Sequence, residues 1–489
     1  MDGVPGKRIF GVETEFGTLV EPDSGLTPEL AVEAIKDTIF YDLRLGALDL
    51  HARDDVFEPA RSGGFLMNGA RLYVDAVGSH LEYATAECQK LKDLVANDRA
   101  GHRLISRAIR HLGWDDQVSV YNNSIDHFGG HTFGCHENYL VRADENLFSE
   151  QINYLYPFLA TRQIFAGVGR VGGHVLVADA PQLTQSEVDA NPIDYIWVGR
   201  IYGVIPDDTV EYQLSQRADH ILKTVASRVR FNRALVNPKW EHYYSYDGTT
   251  RLHLLFGEAN PNPYAYALKV GTTLLMLDLL EDGLLDSKWN LAHPIYALRE
   301  VSRDASHKWL VPLESGDWMS AIDLHREYLK LAGRYAGASD DVDWTLREWE
   351  SVLDQLEKDP SKLADRLDWV SKREIVNQYR EANGMGWDDD SLHSIDLEYH
   401  NIDPKKSLFG AWQEMGNAVD YIRESEIQNA TAEAPQNTRA AARAALVEQA
   451  IKGKLGSYMF DWSGVSLDRL RYIDLSDPFD PTIPVLSEN

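Results

Sequence analysis

Near the start of the chain, Gly11-Val12-Glu13-Thr14-Glu15-Phe16-Gly17 sets two carboxylates two residues apart. Asn68-Gly69-Ala70-Arg71-Leu72-Tyr73-Val74-Asp75 spaces a guanidinium, a phenol and a carboxylate in the same way, and Glu82-Tyr83-Ala84-Thr85 follows closely. Side chains alternate across a strand, so Glu13 and Glu15 share one face while Val12, Thr14 and Phe16 share the other. Arg71, Tyr73 and Asp75 likewise lie opposite Leu72 and Val74. Carboxylates placed together repel and raise one another's pKa unless a cation sits among them, so a hard divalent ion such as Mg²⁺ is the natural occupant. A nucleotide phosphate is its usual companion. Arg251-Leu252-His253-Leu254-Leu255-Phe256 repeats the layout, with Arg251 and His253 on one side. Such alternation also marks an ordinary antiparallel strand with one wetted face; three such stretches in one chain favour a sheet that carries chemistry.

The elements that would position these groups follow from periodicity. A strand is predicted over 9–16, and Thr27-Pro28-Glu29 reads as a helix start: cap, proline at the first helical position, acid in the first turn. Residues 42–64 lose helical spacing, mix charge with glycine, and precede the second reactive strand, so a loop there would overhang the site. Further strands are predicted at 118–121, 134–140 and 458–462. Helices are predicted over 265–280, 344–356 and 438–452. Trp349 falls on the apolar side of its helix with Val352, Leu353 and Leu356, which makes it core. Residues 170–211 carry glycine, proline and Asp207-Asp208 with little regular signal and read as an insertion. Asp388-Asp389-Asp390 reads as a solvated loop. A small C-terminal domain is placed at 404–489, leaving 1–403 as the catalytic domain.

At 489 residues, with 44% hydrophobic and 25% charged, the composition is that of a folded globular protein. A formal charge of −28 opposes general nucleic-acid binding, which needs a basic face. Two cysteines, Cys88 and Cys135, are too few for a disulfide framework, and a cytoplasmic location is expected. Neither a leader nor a run of about 18 apolar residues is visible, so no membrane partner is expected.

Gly167-Val168-Gly169-Arg170-Val171-Gly172 has the spacing of a dinucleotide loop, yet the strand-like Gly173-His174-Val175-Leu176-Val177 follows where a helix is required. Cys88 and Cys135-His136 fall short of a zinc set. No Walker loop or G-x-S-x-G motif is present.

The blocks Glu13-Thr14-Glu15-Phe16-Gly17, 68–75, Gly78-Ser79-His80, 82–88, 134–140, Leu214-Ser215-Gln216-Arg217, Arg251-Leu252-His253, 268–272, Asp368-Trp369-Val370, Gln436-Asn437-Thr438-Arg439 and Asp461-Trp462 resemble the Pup ligase / Pup deamidase family nearly end to end. That family is similar to glutamine synthetase and the carboxylate–amine ligases. The resemblance implies an α+β fold in which a curved antiparallel sheet forms a cradle and the C-terminal domain completes a nucleotide site. It implies ATP and Mg²⁺, with Glu13, Tyr73 and Glu82 as metal ligands and Glu15, His136 and His253 as further ones. Arg71, Thr85, Arg217, Arg439 and Trp462 would bind the nucleotide, and Asp75 matches the catalytic aspartate.

The activity implied is ligation: ATP converts the side-chain carboxylate of a modifier's C-terminal Glu to an acyl phosphate, which a lysine attacks to form an isopeptide bond. The partners would be Pup or a Pup-like modifier, lysine-bearing target proteins and, through them, the proteasome. The alternatives are hydrolysis of a C-terminal Gln amide or of the Pup–lysine bond by the same family, and a small-molecule carboxylate–amine ligase. Ligase-type wording at 77–80, 84–88, 134–136 and 294–304 favours ligation. Departures are the inserted Ala76, the replaced segment 237–242 and the insertion 170–211.

Overall fold

The structure, a computed structural model, describes residues 7–49, 63–75, 80–127, 132–142, 147, 150–176, 204–226, 233–237, 246, 248–468 and 471–483. The inserted Ala76, Gly78 and Ser79, most of the loop expected to overhang the site, and the replaced segment beyond Asn237 lie outside the described residues.

The first strand, β1 (Phe10–Val20), obeys the alternation: Phe10, Val12, Thr14 and Phe16 are buried, whereas Gly11, Glu13 and Glu15 are half-buried. The strands that follow are β2 (Gly46–Leu48), β3 (Gly63–Leu66), β4 (Arg71–Val74), β5 (Leu81–Ala84), β6 (Val118–Tyr121), β7 (Cys135–Arg142), β8 (Arg170–Leu176), β9 (Val204–Gln213), β10 (Lys223–Val225), β11 (Ala234–Asn237) and β12 (Thr249–Leu254). Nine of them form one sheet in the order β10-β11-β12-β7-β1-β5-β4-β3-β2, and β6 pairs with the far end of β1. All neighbours run antiparallel except β10 and β11. With the helices around it, this is the expected α+β architecture.

One face of the sheet is apolar. Phe10, Val12, Tyr139, Val141, Leu252 and Leu254 pack into a core shared with the helix Pro263–Glu281, and Trp349 is buried in the same core. Phe16, Leu72, Val74, Leu81 and Tyr83 form a second core with Ile35, Leu104 and Ile105. The predicted helix start holds, since Thr27 caps Pro28–Asp37 by accepting from the Leu30 N–H. Beneath β7, Arg162 grips Glu137 with two parallel bonds of 2.9 and 2.5 Å and donates to Thr273 at 2.7 Å, all three side chains buried. Removing one partner of such a pair strands a charge in the interior. Arg162→Met is therefore expected to cost about 3–5 kcal/mol in urea unfolding, and Glu137→Leu with Arg162→Met to recover most of it; a single-variant loss below about 1 kcal/mol would refute this account.

Two expectations change. The 170–211 segment is not without regular structure, because β8 and β9 pair as a separate antiparallel ribbon. Gly172 at φ +71° and a register shift between Val171 and Gly173 break its alternation, and Pro206, Asp207 and Asp208 give β9 the composition of a loop. The ribbon is anchored by the Val171 N–H on Asp396 (2.7 Å) and the Tyr212 hydroxyl on the Trp369 carbonyl (2.8 Å). Within 42–64, Gly46–Leu48 is the edge strand of the main sheet and the start of Gly63–Leu66 belongs to the strand beside it, so neither is loop.

Beyond residue 404 lie the helices Leu408–Glu414, Glu424–Ala430 and Arg439–Ile451 and a three-stranded sheet of β13 (Tyr458–Phe460), β14 (Gly464–Leu467) and β15 (Arg471–Asp474). Its small core takes Ala47 and Phe65 from the edge of the main sheet alongside Leu446, Val447, Phe460 and Val465. Among the described residues no helix is long and apolar enough to cross a membrane.

Candidate functional site

The other face of the sheet carries the polar row. Strand register sets Glu15 opposite Glu82 and Glu82 opposite Tyr73; the next row runs His136, Glu13, Ala84, Arg71. His253, on β12, faces Asn138 on β7. Five strands thus deliver their alternate side chains to one patch.

Within it, ligand atoms of Glu13, His136 and His253 lie within 4.8 Å of one another, and so do those of Glu15, Asp75 and Glu82. The Glu13 carboxylate is 3.6 Å from His136 Nδ1, 3.8 Å from His253 Nε2 and 3.5 Å from Arg251, and it accepts from Asn138 at 3.1 Å. Glu15 accepts from the Gly134 N–H at 2.8 Å and faces His80 at 3.5 Å. Asp75 follows β4, its N–H donating to the His80 carbonyl at 2.8 Å.

Electrostatics divide the carboxylates. Burial pushes Glu13 up, but His136, His253 and Arg251 outweigh it and hold this carboxyl well below the usual range. Burial opposes ionisation of Glu15 too, and His80, His136 and the Gly134 N–H bring it down to about 2. Glu82 goes the other way: burial, then the charges of Glu13, Glu15 and Asp75, raise it well above the ordinary carboxylate value. Tyr73 is raised by burial and by Glu82 and Glu13. Crowded carboxylates with imidazole at one end are a donor set suited to a small divalent cation, which would neutralise the repulsion that drives Glu82 up.

Glu13 also borders a pocket of about 850 Å³ of free space, open mouth included, running along β1, β5 and β7. Gly11, Thr85 and Arg251 line it from the sheet, and Arg439 and Trp462 from the C-terminal part. A side chain at Gly11 would stand 3.1 Å from the Thr85 hydroxyl, which accepts from the Val12 N–H at 3.0 Å; glycine keeps that wall low. Arg439 is aimed by Glu87 at 2.7 Å. Glu87 also binds the buried Arg443, one helical turn on.

Burial favours protonation of Glu87, but Arg443 and Arg439 overcome it and lower this carboxyl from its ordinary 4.5 to about 2. A depressed carboxyl stabilises the fold above its unfolded pKa and loses that contribution as pH falls through the folded one. Thermal melts are therefore expected to lose about 3 kcal/mol from this group between pH 4.5 and 2, a component absent in Glu87→Gln; identical pH profiles for the two proteins would contradict the pairing.

The structure brings together Glu13, Glu15, Tyr73, Asp75, Glu82, His136 and His253, and places Thr85, Arg439 and Trp462 on the adjoining pocket. Arg71 sits on the same face, its guanidinium 4.4 Å from the Tyr73 ring centre, but its Nε is committed to the buried Asp49 at 2.8 Å and it does not line the pocket. Arg217 is buried off the pocket, donating to the Leu255 carbonyl at 2.7 Å, though near enough to interact with Glu15. Sequence reading assigned no part to Asp49, His80, Glu87, Asn138 or Arg443. Asn138 was accessible to it by parity with His136; Arg443 shows only as an arginine four residues after Arg439.

A sheet with two ligand groups on one face continues at Glu13 into a pocket edged by arginine and tryptophan, an arrangement able to hold a metal ion beside a bound ligand. The chain belongs to the Pup-ligase family: the model described as Pup-ligase protein matches residues 8–466. It is 32% identical over 490 residues to a Pup–protein ligase of Paenarthrobacter aurescens (strain TC1), covering 97% of this chain and 96% of that one. A depupylase of Acidothermus cellulolyticus is 33% identical over 473 residues, covering 88% and 86%. Among solved structures, the complex of the prokaryotic ubiquitin-like protein Pup with its ligase PafA matches with a TM-score of 0.77 at 30% identity, over 98% of this chain and 90% of that one. PafA in complex with ADP matches with a TM-score of 0.73 at 30% identity, over 95% and 94%.

Proposed function

We propose that this chain is an ATP-dependent ligase joining the C-terminal Glu side-chain carboxylate of Pup, or of a Pup-like modifier, to lysines of target proteins. The observation that carries the reading is the adjacency of an acidic row holding Asp75 to a pocket that shares Glu13 with it. Likeness to PafA bound to Pup and to PafA bound to ADP supports modifier and nucleotide alike.

In this reading Glu13, Tyr73 and Glu82 would hold Mg²⁺, with Glu15, His136 and His253 adjoining, and the bound ion would supply positive charge to offset that of the phosphates. Thr85, Arg439 and Trp462 seat the nucleotide, so residues 404–489 complete a site founded on 1–403. Arg71 and Arg217, held by Asp49 and by the Leu255 carbonyl away from the pocket wall, would act on the bound phosphates only through their charge. The modifier's carboxylate attacks the γ-phosphorus, releasing ADP and leaving an acyl phosphate, since a free carboxylate has no adequate leaving group. Asp75 takes the proton of the incoming lysine ammonium, the amine attacks the carbonyl, and phosphate leaves. Modified targets would pass to the proteasome, and the work would be done in the cytoplasm.

The test incubates the protein with ATP, Mg²⁺, a lysine-bearing target and Pup ending in Glu or in Gln. ADP together with a conjugate of the summed mass less one water is expected from the Glu form. Ammonia from the Gln form, or Pup released from a preformed conjugate without ligation, would replace this reading by the hydrolytic one that the depupylase relative represents.

A further inference from the structure

We propose that Arg443 is a positioning residue for the nucleotide pocket and acts through Trp462. The inference rests on the reading that seats the nucleotide against Trp462.

Arg443 lies in the alanine-rich helix Arg439–Ile451, and its side chain is wholly buried. A guanidinium removed from water must find compensation for its lost hydration, and this one finds it in three separate elements. It donates to the Trp462 carbonyl at 3.1 Å, to the Gly69 carbonyl at 3.2 Å and to both oxygens of Glu87. Gly69, at φ +80°, turns the chain between β3 and β4, and a side chain there would meet Ala440 of the same helix at 3.0 Å. Arg443 therefore ties the loop bearing Trp462 to the turn and the strand exit that border the acidic row.

The rings reinforce the tie. Phe65 of β3 and Trp462 meet edge to face at 5.1 Å, and the Arg443 guanidinium covers both, 5.0 Å from one centre and 4.8 Å from the other. Arg71 lies 5.9 Å from the Phe65 ring on its way to Tyr73. Alternating cations and rings so connect the wall of the pocket to the row of candidate metal ligands. The planar fork can face carbonyl, carboxylate and ring at once where an ammonium cannot. Trp462 itself is only partly buried, so packing alone does not fix its angle.

The experiment measures affinity for Mg·ADP by fluorescence titration of the full chain, in the native background and in Trp462→Ala. Arg443→Lys keeps the charge and removes the fork; Arg443→Gln, planar and neutral, is carried in parallel so that one cooperatively melting variant suffices. The substitution is expected to raise Kd about tenfold in the native background and less than twofold in Trp462→Ala. Equal losses in both backgrounds, or no loss in the native one, would overturn the proposal. Conjugation plays no part in the readout, so failure of the ligase reading leaves it standing. Unchanged ADP binding in Trp462→Ala itself would instead remove the nucleotide from this wall, and the proposal with it.

Discussion

Asp75→Asn is expected to lower conjugate formation by about 10²–10⁴-fold, the usual contribution of a positioned base, while leaving affinity for ADP within about threefold. The asymmetry follows from placement. Asp75 stands in the acidic row beside Glu15 and Glu82, whereas the pocket is bounded by Gly11, Thr85, Arg439 and Trp462. Lysine is protonated at neutral pH, so the amine becomes a nucleophile only if a carboxylate takes its proton, and asparagine of nearly equal size cannot. The first half-reaction needs no such base. With Pup and ATP but no target, the variant should still release about one ADP per enzyme, a burst that separates activation from transfer. Conjugation within tenfold of the native rate would end the assignment of Asp75 as base. Loss of the ADP burst together with transfer would mean that this carboxylate serves the metal instead.

Much of the site was legible because a strand has a period of two. Glu13 with Glu15, Arg71 with Tyr73, and Arg251 with His253 could be put on common faces from spacing alone, and the structure keeps each set together. Which strands are neighbours was not legible, since order and register arise from contacts distant in sequence. Glu82 and Glu15 are 67 residues apart, and nothing local makes them directly opposed. Glu87 was read as one letter of a motif; its role depends on two arginines more than 350 residues away. Arg71 and Arg217 were legible as cations but not as cations already occupied by Asp49 and by the Leu255 carbonyl. Of the ribbon, residues 173–176 of β8 were legible as strand-like, but β9 and its pairing were missed for a local reason, namely glycines and a proline placed where a bulged pair tolerates them. Trp349 and the capped helix at Thr27 were legible because both depend on one element's own periodicity.

Glu82→Gln should separate stability from function in opposite directions. Glu82 is 5% exposed and opposed across the strand by Glu15, with Glu13 and Asp75 adding negative charge. Without a cation, folding must force a carboxyl into a place that disfavours its charge, and that cost subtracts from the stability of the metal-free protein. Glutamine keeps the shape and removes the charge. In EDTA the variant is expected to gain about 1–2 kcal/mol, seen as a melting temperature higher by about 1–2 °C for a chain of 489 residues. In Mg²⁺ the order should reverse, because ligand binding stabilises the native state in proportion to its affinity and the variant has lost an anionic donor. Native protein should therefore melt higher with Mg²⁺ than with EDTA, the variant's melt should scarcely respond, and its conjugation rate should fall at least a hundredfold. A variant that melts lower than the native protein in EDTA would show that Glu82 is held for packing or hydrogen bonding and not under electrostatic strain. An undiminished Mg²⁺ response would remove Glu82 from the metal set, leaving Glu13, His136 and His253 as the group to test next by the same pair of melts.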